Sequence, residues 1–330
     1  MIRNAVILND TSTRYHHGCV RVMRLLTEGL KRSGLTIAAR SPARHDWEKD
    51  ETFLRALAEA DVVVINGEGT LHHGREAGER LLRVATHPAT RAPVALVNAL
   101  WQDNPTAWAE PLKTMALVAA RDSASAAAMA QATGREVRWL PDLSLSAPAE
   151  PAGPRRDGVL IGDSVRFSAR KALARAALAL PGARVLPTKT LSGRLWRLPV
   201  ARALLYRAYM NSWTLRIPPF DLAQSESDYL AALAAAELHI TGRFHGVCLS
   251  MLTETPFLAL ASNASKVERL LEDVGLGRDR LVTAQELTAP PPCAPFTPGE
   301  VDAIRAFRSR AAREAETLFT DIAALAGGQT

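Results

Sequence analysis

Cysteine is scarce. The 330 residues hold three, Cys19, Cys248 and Cys293, odd in number, far apart and never in a Cys-x-x-Cys pair. That excludes a disulfide framework and a paired-thiolate metal site, and leaves buried thiols as the expectation. Aromatic residues are 5% of the chain. With no recognisable nucleic-acid module, nucleic acid is not an expected partner despite the formal charge of +6. Long apolar runs are missing too: stretches such as 126–130 are far too short to span a bilayer. The chain runs directly into the strand-like Ala5-Val6-Ile7-Leu8 without a leader pattern, so the cytoplasm is the expected compartment. Neither a Gly-x-Gly-x-x-Gly fingerprint nor a Gly-Lys-Ser/Thr phosphate loop occurs, so no nucleotide cofactor is indicated. The pairs His16-His17 and His72-His73 lack a His-Glu-x-x-His frame or a carboxylate cluster, and adjacent histidines rarely aim at one ion. No metal is expected.

Hydrophobic residues make up 47% and charged residues 22%, the balance of an ordinary globular protein. The length suits two domains of about 150 residues each. Up to about Pro141 buried strands alternate with amphipathic helices. Strands are expected at 5–8, 36–39, 61–65, 94–98, 117–120 and 137–140, and a helix over 18–33 is closed by Gly34. This alternation predicts a parallel sheet covered on both faces. A Pro/Gly-rich linker is expected at 147–157, separating a domain over 1–147 from a second over 158–330. There a strand at 159–161, a helix at 169–180 and a strand at 183–186 restart the pattern. Thr297-Pro298-Gly299-Glu300 is a capping box that opens a long final helix, one able to cross back to the first domain.

The densest chemistry lies in Thr241-Gly242-Arg243-Phe244-His245-Gly246, with Lys266 about a helix and a strand further on. The segment sits where an apolar strand hands over to a helix. Such a turn offers backbone amides and the positive helix end to an anion, and glycines such as Gly242 admit a ligand close to the backbone. Arg243 supplies a fork for phosphate or carboxylate, Lys266 a point charge, and His245 an imidazole able to move a proton. The plainer alternative is that Arg243 pairs with a nearby acid and His245 caps the helix.

Other candidates sit at strand ends, where α/β proteins build their sites. In the glycine-rich turn after Ile65, Glu68 is the polar group of interest, with His72 close behind. Arg121 ends one strand and Asp142 the next; Arg121 could reach an anion, and Asp142 could orient a histidine or bind a hydroxyl. Asp122 or Ser123 is the expected cap of the following helix, stopped by Gly134. Residues 191–216 are rich in arginine and bulky apolar side chains. They suit an interfacial helix at a membrane, although the arginines scatter round the helical circumference; a packed interface helix or an acceptor-binding element reads equally well.

Three blocks together resemble the polysaccharide pyruvyl transferase family: the glycine-rich turn after Ile65; Arg121-Asp122-x-x-Ser125 through Pro141-Asp142; and Gly242-Arg243-Phe244-His245 with Thr255-Pro256 and Lys266. The resemblance implies two Rossmann-like domains facing across a cleft, as in B-type glycosyltransferases. It implies transfer of the pyruvyl unit of phosphoenolpyruvate to two hydroxyls of a saccharide acceptor, free or lipid-linked, with release of phosphate. Arg243 and His245 would carry the catalysis, and Arg121 and Lys266 would help hold the donor; independently of the resemblance, the formal charge of +6 suits an anionic substrate or the cytoplasmic membrane face. The family's opening Gly-Asn-x-Gly-Asp turn is replaced here by Asn9-Asp10-Thr11-Ser12-Thr13. That leaves Asp10, His17, Glu68 and His72 as candidates for the acceptor hydroxyls or for a base. Two alternatives stay open: a B-type glycosyltransferase that binds the diphosphate of a nucleotide sugar, and a non-catalytic anion-binding module.

Overall fold

Residues 2–149, 156–260, 265–288 and 295–328 are described by a computed structural model; Cys293 and most of the expected linker lie outside them. The chain divides into two compact units, one of residues 1–14, 22–147 and 308–330, the other of 15–21 and 148–307.

The first unit is built on a six-stranded sheet. Its elements are β1 (Arg3–Asp10), α1 (His17–Arg32), β2 (Leu35–Pro42), α2 (Glu51–Ala58), β3 (Val62–Asn66), α3 (Glu76–Arg83), β4 (Val94–Ala99), α4 (Ala109–Thr114), β5 (Leu117–Ala120), α5 (Ser123–Thr133) and β6 (Arg138–Trp139). The strand order is β2-β1-β3-β4-β5-β6, and every pairing is parallel. Because both faces are covered, neighbouring residues along a strand serve different cores. Val6, Leu8, Val63 and Ile65 pack with Phe53, Leu57, Leu82 and Leu112, whereas Ala5, Ile7, Val62 and Val64 pack with Val22, Leu26 and Leu30 of α1 and with Leu318, Phe319 and Ile322. Continuous apolar strands are what two-sided burial demands. Asp122 caps α5 by accepting the Ser125 amide at 2.7 Å, and Gly134 ends it in the left-handed region at φ 67°.

The second unit carries β7 (Val159–Ser164), α6 (Phe167–Ala179), β8 (Arg184–Val185), α7 (Pro199–Met210), α8 (Glu226–Ala234), β9 (Leu238–Gly242), α9 (Phe244–Leu252), β10 (Phe257–Leu260), α10 (Lys266–Val274), β11 (Leu281–Val282) and α11 (Pro298–Leu325). Its strands are also parallel, in the order β11-β10-β9-β7-β8. One face is filled by Leu173, Ala174 and Ala177 of α6 and Tyr206 and Met210 of α7 against Ile161, Val185, Ile240 and Leu258. The Thr297–Glu300 box opens α11: Glu300 N donates to Thr297 Oγ1 at 3.2 Å and Thr297 N to Glu300 Oε2 at 2.8 Å. The division of the chain falls inside two helices, so α1 gives its first residues to the second unit and α11 gives its last two-thirds to the first.

Both sheets reverse direction once. In the first, the chain leaves β1 towards β2 and returns to place β3 on the other side of β1; in the second, β8 and β9 flank β7 in the same way. Each reversal opens a crevice at the carboxyl ends of the two strands involved, the place where open α/β sheets bind ligands.

Candidate functional site

The reversal in the second unit lies between β7 and β9, and the two strands deliver a carboxylate and a guanidinium to it. Asp163 comes from β7 and Arg243 from the residue after β9. Asp163 Oδ2 accepts from Arg243 Nε at 2.9 Å and Nη2 at 2.5 Å and also from the Tyr209 hydroxyl. Its Oδ1 accepts the Thr188 amide at 2.9 Å. The carboxylate is fully buried and the arginine side chain is 12% exposed. Burial alone would raise the Asp163 carboxyl, but the charge and hydrogen bonds of Arg243, with the Tyr209 bond, hold it well below the usual carboxylate range. Burial likewise opposes the charge on Arg243, and Asp163 more than offsets it, so the guanidinium stays charged at any working pH. Tyr209 is pushed up by burial and by the negative Asp163, and remains a protonated donor.

The helix that follows is placed by small residues. A Cβ on Gly246 would sit 2.4 Å from Thr241 Oγ1, and one on Gly242 would meet Ser164 Cβ at 2.7 Å, so the turn closes only with glycine at both. His239 Nδ1 pairs with Ser250 Oγ at 2.7 Å, and Ser250 also donates to the Gly246 carbonyl at 2.8 Å, which locks α9 on β9. Burial drives the His239 imidazole down to about 3, marking it as a neutral structural group.

His245, in the first turn of α9, is buried against a segment from far away in sequence. Gly18 approaches so closely that a Cβ there would lie 2.3 Å from both Cβ and Cγ of His245. His16 meets His245 edge to face, with ring centroids 5.4 Å apart. Burial, followed by the charge of Arg243, lowers the His16 pKa well below its ordinary value, so this second imidazole is neutral. The segment is held by backbone bonds from His17 N to Thr188 O at 3.0 Å and from Thr190 N to Tyr15 O at 2.8 Å. It is held as well by Arg21, which reaches Glu226 at 2.5 Å. His17 stacks on Tyr229, centroids 5.0 Å apart, and burial pushes it down to about 4. Of the His16-His17 pair, then, His16 stands next to His245 and His17 braces the fold.

One ligand atom each from His16, Cys19 and His245 lies within 4.8 Å of the others. Two imidazoles and a thiol suit a borderline or soft cation, but an imidazole that ligates an ion cannot also carry a proton to a substrate. A cavity of about 470 Å³ in the same unit is lined by Arg184, Trp196, Arg197, Arg202 and Asp228 among others, and includes none of Asp163, Arg243 or His245. Lys266 opens α10.

The reversal in the first unit, between β1 and β3, holds a second polar cluster. Thr11 Oγ1 donates to Glu68 at 2.5 Å, Asn9 Nδ2 donates to the Asn66 carbonyl at 2.6 Å and to Thr70 Oγ1 at 3.1 Å, and Arg14 also reaches Thr70 at 3.0 Å. Glu68 is thus buried inside a hydroxyl and amide network. Asp10 accepts from the Ser12 amide at 3.0 Å and faces Arg40 at 3.4 Å, and His72 is buried in the turn after Glu68. Further along the sheet Arg121 pairs with Asp142 at 3.3 Å, both nearly inaccessible, while Asp142 also accepts the Ser144 amide at 2.9 Å. Arg121 and Asp142 therefore serve one another, and Arg121 belongs to a different unit from Arg243.

Sequence reasoning missed Asp163, Tyr209 and His16. Asp163 lies beyond the strand expected at 159–161, Tyr209 falls in the bulky tract at 191–216, and His16 stands out only as half of a histidine pair; the long-range return of the chain is what brings them together.

No curated protein sequence matches the chain. Among solved structures, S. aureus MnaA in complex with UDP aligns over 94% of this chain and 91% of its own at 9% identity and TM-score 0.53. The UDP-GlcNAc 2-epimerase of Neisseria meningitidis bound to UDP-GlcNAc aligns over 98% and 99% at 10% identity and TM-score 0.51. At that identity the likeness carries the fold alone, two Rossmann-like units with parallel sheets. The sequence itself is more specific. The family model described as polysaccharide pyruvyl transferase matches residues 7–263, a span that takes in both sheet reversals and the Arg243–His245 turn. This chain belongs to the polysaccharide pyruvyl transferase family.

Proposed function

We propose that this protein moves the pyruvyl group of phosphoenolpyruvate onto two hydroxyls of a sugar in a cell-surface polysaccharide or its precursor. The observation that carries this reading is the buried Asp163–Arg243–Tyr209 network at the sheet reversal, with His245 two residues further on at the start of α9. Asp163 orients the guanidinium through Nε and Nη2, and Arg243 Nη1 has no hydrogen bond among the described residues. That edge, the amides at the start of α9 and Lys266 suit the phosphate and carboxylate of the donor.

On this reading His245 gives a proton to C3 of phosphoenolpyruvate, and C2 becomes electrophilic. A sugar hydroxyl adds to C2 and its proton returns to the imidazole. A second hydroxyl then forms the other C2–O bond as the bond from C2 to the phosphate oxygen breaks, and its proton leaves with the phosphate. The neutral His16 beside His245 adds no competing charge. Glu68, Asp10 and His72 are the groups proposed to select acceptor hydroxyls, while Arg121 stays paired with Asp142. The proposed setting is the cytoplasm, with a saccharide acceptor that is free or lipid-linked.

The test pairs binding with turnover. Phosphoenolpyruvate should raise the melting temperature and nucleotide sugars should not. Incubation with phosphoenolpyruvate and a panel of free and lipid-linked glycans should give product with the mass of a pyruvyl ketal. His245→Gln should keep the thermal shift and lose phosphate release, and Arg243→Met should lose both. Stabilisation by a nucleotide sugar alone would point instead to a glycosyltransferase, and undiminished phosphate release in His245→Gln would remove it as the acid.

A further inference from the structure

Residues 189–216 contain Lys189 and five arginines but no aspartate or glutamate. The same stretch carries Leu195, Leu198, Val200, Leu204, Trp213 and Leu215, six of the ten exposed large hydrophobic side chains among the described residues. A solvated surface has no use for that concentration: Val200 is 80% exposed, Trp213 70% and Leu215 99%.

The arrangement is ordered. Along α7, Tyr206 and Met210 face the core while Val200 and Leu204, one turn apart, face out. After α7 ends at Asn211 in the left-handed region, Arg207 folds back over the chain. Its Nε donates to Thr214 O and its Nη2 to Leu215 O, both at 2.9 Å. This arginine fastens the turn that presents Trp213 and Leu215. Arg202 lies 5.3 Å over the Phe220 ring. The arginines that break the helical stripe are therefore occupied within the fold. Arg194, Arg197 and Arg216, which flank the exposed apolar residues in sequence, form no ion pair among the described residues, although Arg197 also lines the cavity beside Trp196.

We propose that residues 194–216 are a peripheral membrane-binding face that docks on an anionic phospholipid bilayer, Trp213, Leu215, Val200 and Leu204 entering the interface and Arg194, Arg197 and Arg216 meeting the lipid phosphates. Charge complementarity selects this occupant: a protein partner would need an acidic apolar surface, whereas an anionic leaflet supplies both properties at once. Among the described residues no helix is long and apolar enough to cross a membrane; the attachment proposed for this face lies in the interface and is reversible. The face does not depend on pyruvyl transfer. Joined to that reading it gives a lipid-linked acceptor a reason, because α7 exposes Leu204 on one side and on the other extends Tyr209 to Asp163.

The experiment is flotation of the full chain with extruded vesicles, either phosphatidylcholine alone or phosphatidylcholine with phosphatidylglycerol in equal parts. The protein should float with the anionic vesicles, not with the neutral ones, and added salt should weaken the association. The double variant Trp213→Ser, Leu215→Ser should lose roughly tenfold in partitioning, and Arg194→Glu, Arg197→Glu should lose the preference for anionic lipid. Both should keep the melting temperature and the release of phosphate with a soluble acceptor. Failure to float at low salt would overturn the proposal, as would flotation unchanged in the Trp213, Leu215 variant. Loss of self-association in that variant without any vesicle binding would assign the face to a second copy instead. A protein that floats but never releases phosphate would leave this face intact and refute pyruvyl transfer.

Discussion

Asp163→Asn changes one charge and almost no volume. Asp163 Oδ2 accepts three donors, two from Arg243 and one from Tyr209, while Oδ1 accepts the Thr188 amide. An asparagine has one oxygen to offer. If that oxygen stays on Thr188, the new NH₂ points at the guanidinium; if it turns to Arg243, the NH₂ points at the Thr188 amide. Either way a donor faces a donor in a fully buried place, and the arginine, 12% exposed, loses its counter-ion. Breaking one side of a buried pair costs about 3–5 kcal/mol. For a unit of this size that corresponds to about 10 °C in melting temperature. Calorimetry or urea unfolding would read it. The double variant Asp163→Asn, Arg243→Met removes the unpaired charge and should recover at least half of the loss, because well-packed apolar replacement of a buried pair is close to neutral. Phosphate release should be absent in both, so stability and catalysis separate. Arg243→Met alone leaves a buried carboxylate whose pKa burial raises; its deficit against the unmodified protein should shrink as pH falls and the group takes up its proton. An Asp163→Asn protein that melts within about 2 °C of the unmodified one, or a double variant no more stable than the single, would refute the reasoning.

Two more outcomes follow from packing and burial. Gly18→Ala puts a methyl 2.3 Å from the His245 side chain and should cost about 1–3 kcal/mol of stability. Displacement of the imidazole should slow phosphate release roughly 100-fold with donor binding retained; an unslowed enzyme would show that His245 has no required position. His17 and His239 are neutral in the fold, at about 4 and about 3, and titrate near 6.5 when unfolded. The unfolded chain therefore binds more protons between those values, and stability should fall as pH drops from about 6.5 towards 4. His17 contributes about 3 kcal/mol of that fall. His17→Gln should flatten the profile in urea titrations at stepped pH, and an equal slope in that variant would refute the assignment.

The parallel strands were legible because two-sided burial writes unbroken apolar runs, as in Val62-Val63-Val64-Ile65. The caps at Asp122 and Thr297 were legible because capping is local chemistry. β7 was less so. Its apolar signal stops at Ile161, yet the strand continues through Gly162 and Asp163 to Ser164. Gly162 is there because a Cβ would meet Thr241 Oγ1 at 2.8 Å and His239 Nε2 at 2.9 Å, and Asp163 because the Arg243 guanidinium waits just past the end of the neighbouring strand β9. Neither reason exists in the sequence around them. Of the two readings of the Arg243 turn, the plainer one, that Arg243 pairs with a nearby acid, is what is seen, and the anion reading stands beside it as a proposal. The two are compatible, since a paired arginine is a fixed one. His16 was invisible as a partner of His245 because more than two hundred residues separate them.

That separation matters for how the protein is made. Residues 15–21 leave the ribosome long before β7 or β9 exists, and they cannot take their places until 148–307 have followed. The first unit also needs 308–330 to cover its α1 face, so neither unit is a continuous piece of chain that could close behind the ribosome. An exposed His16–Arg21 segment and an unfinished α1 face must therefore persist until those later residues have been made. The nascent chain is a natural client for chaperones, and the contact between His16 and His245 forms only after residues 148–307 have been made.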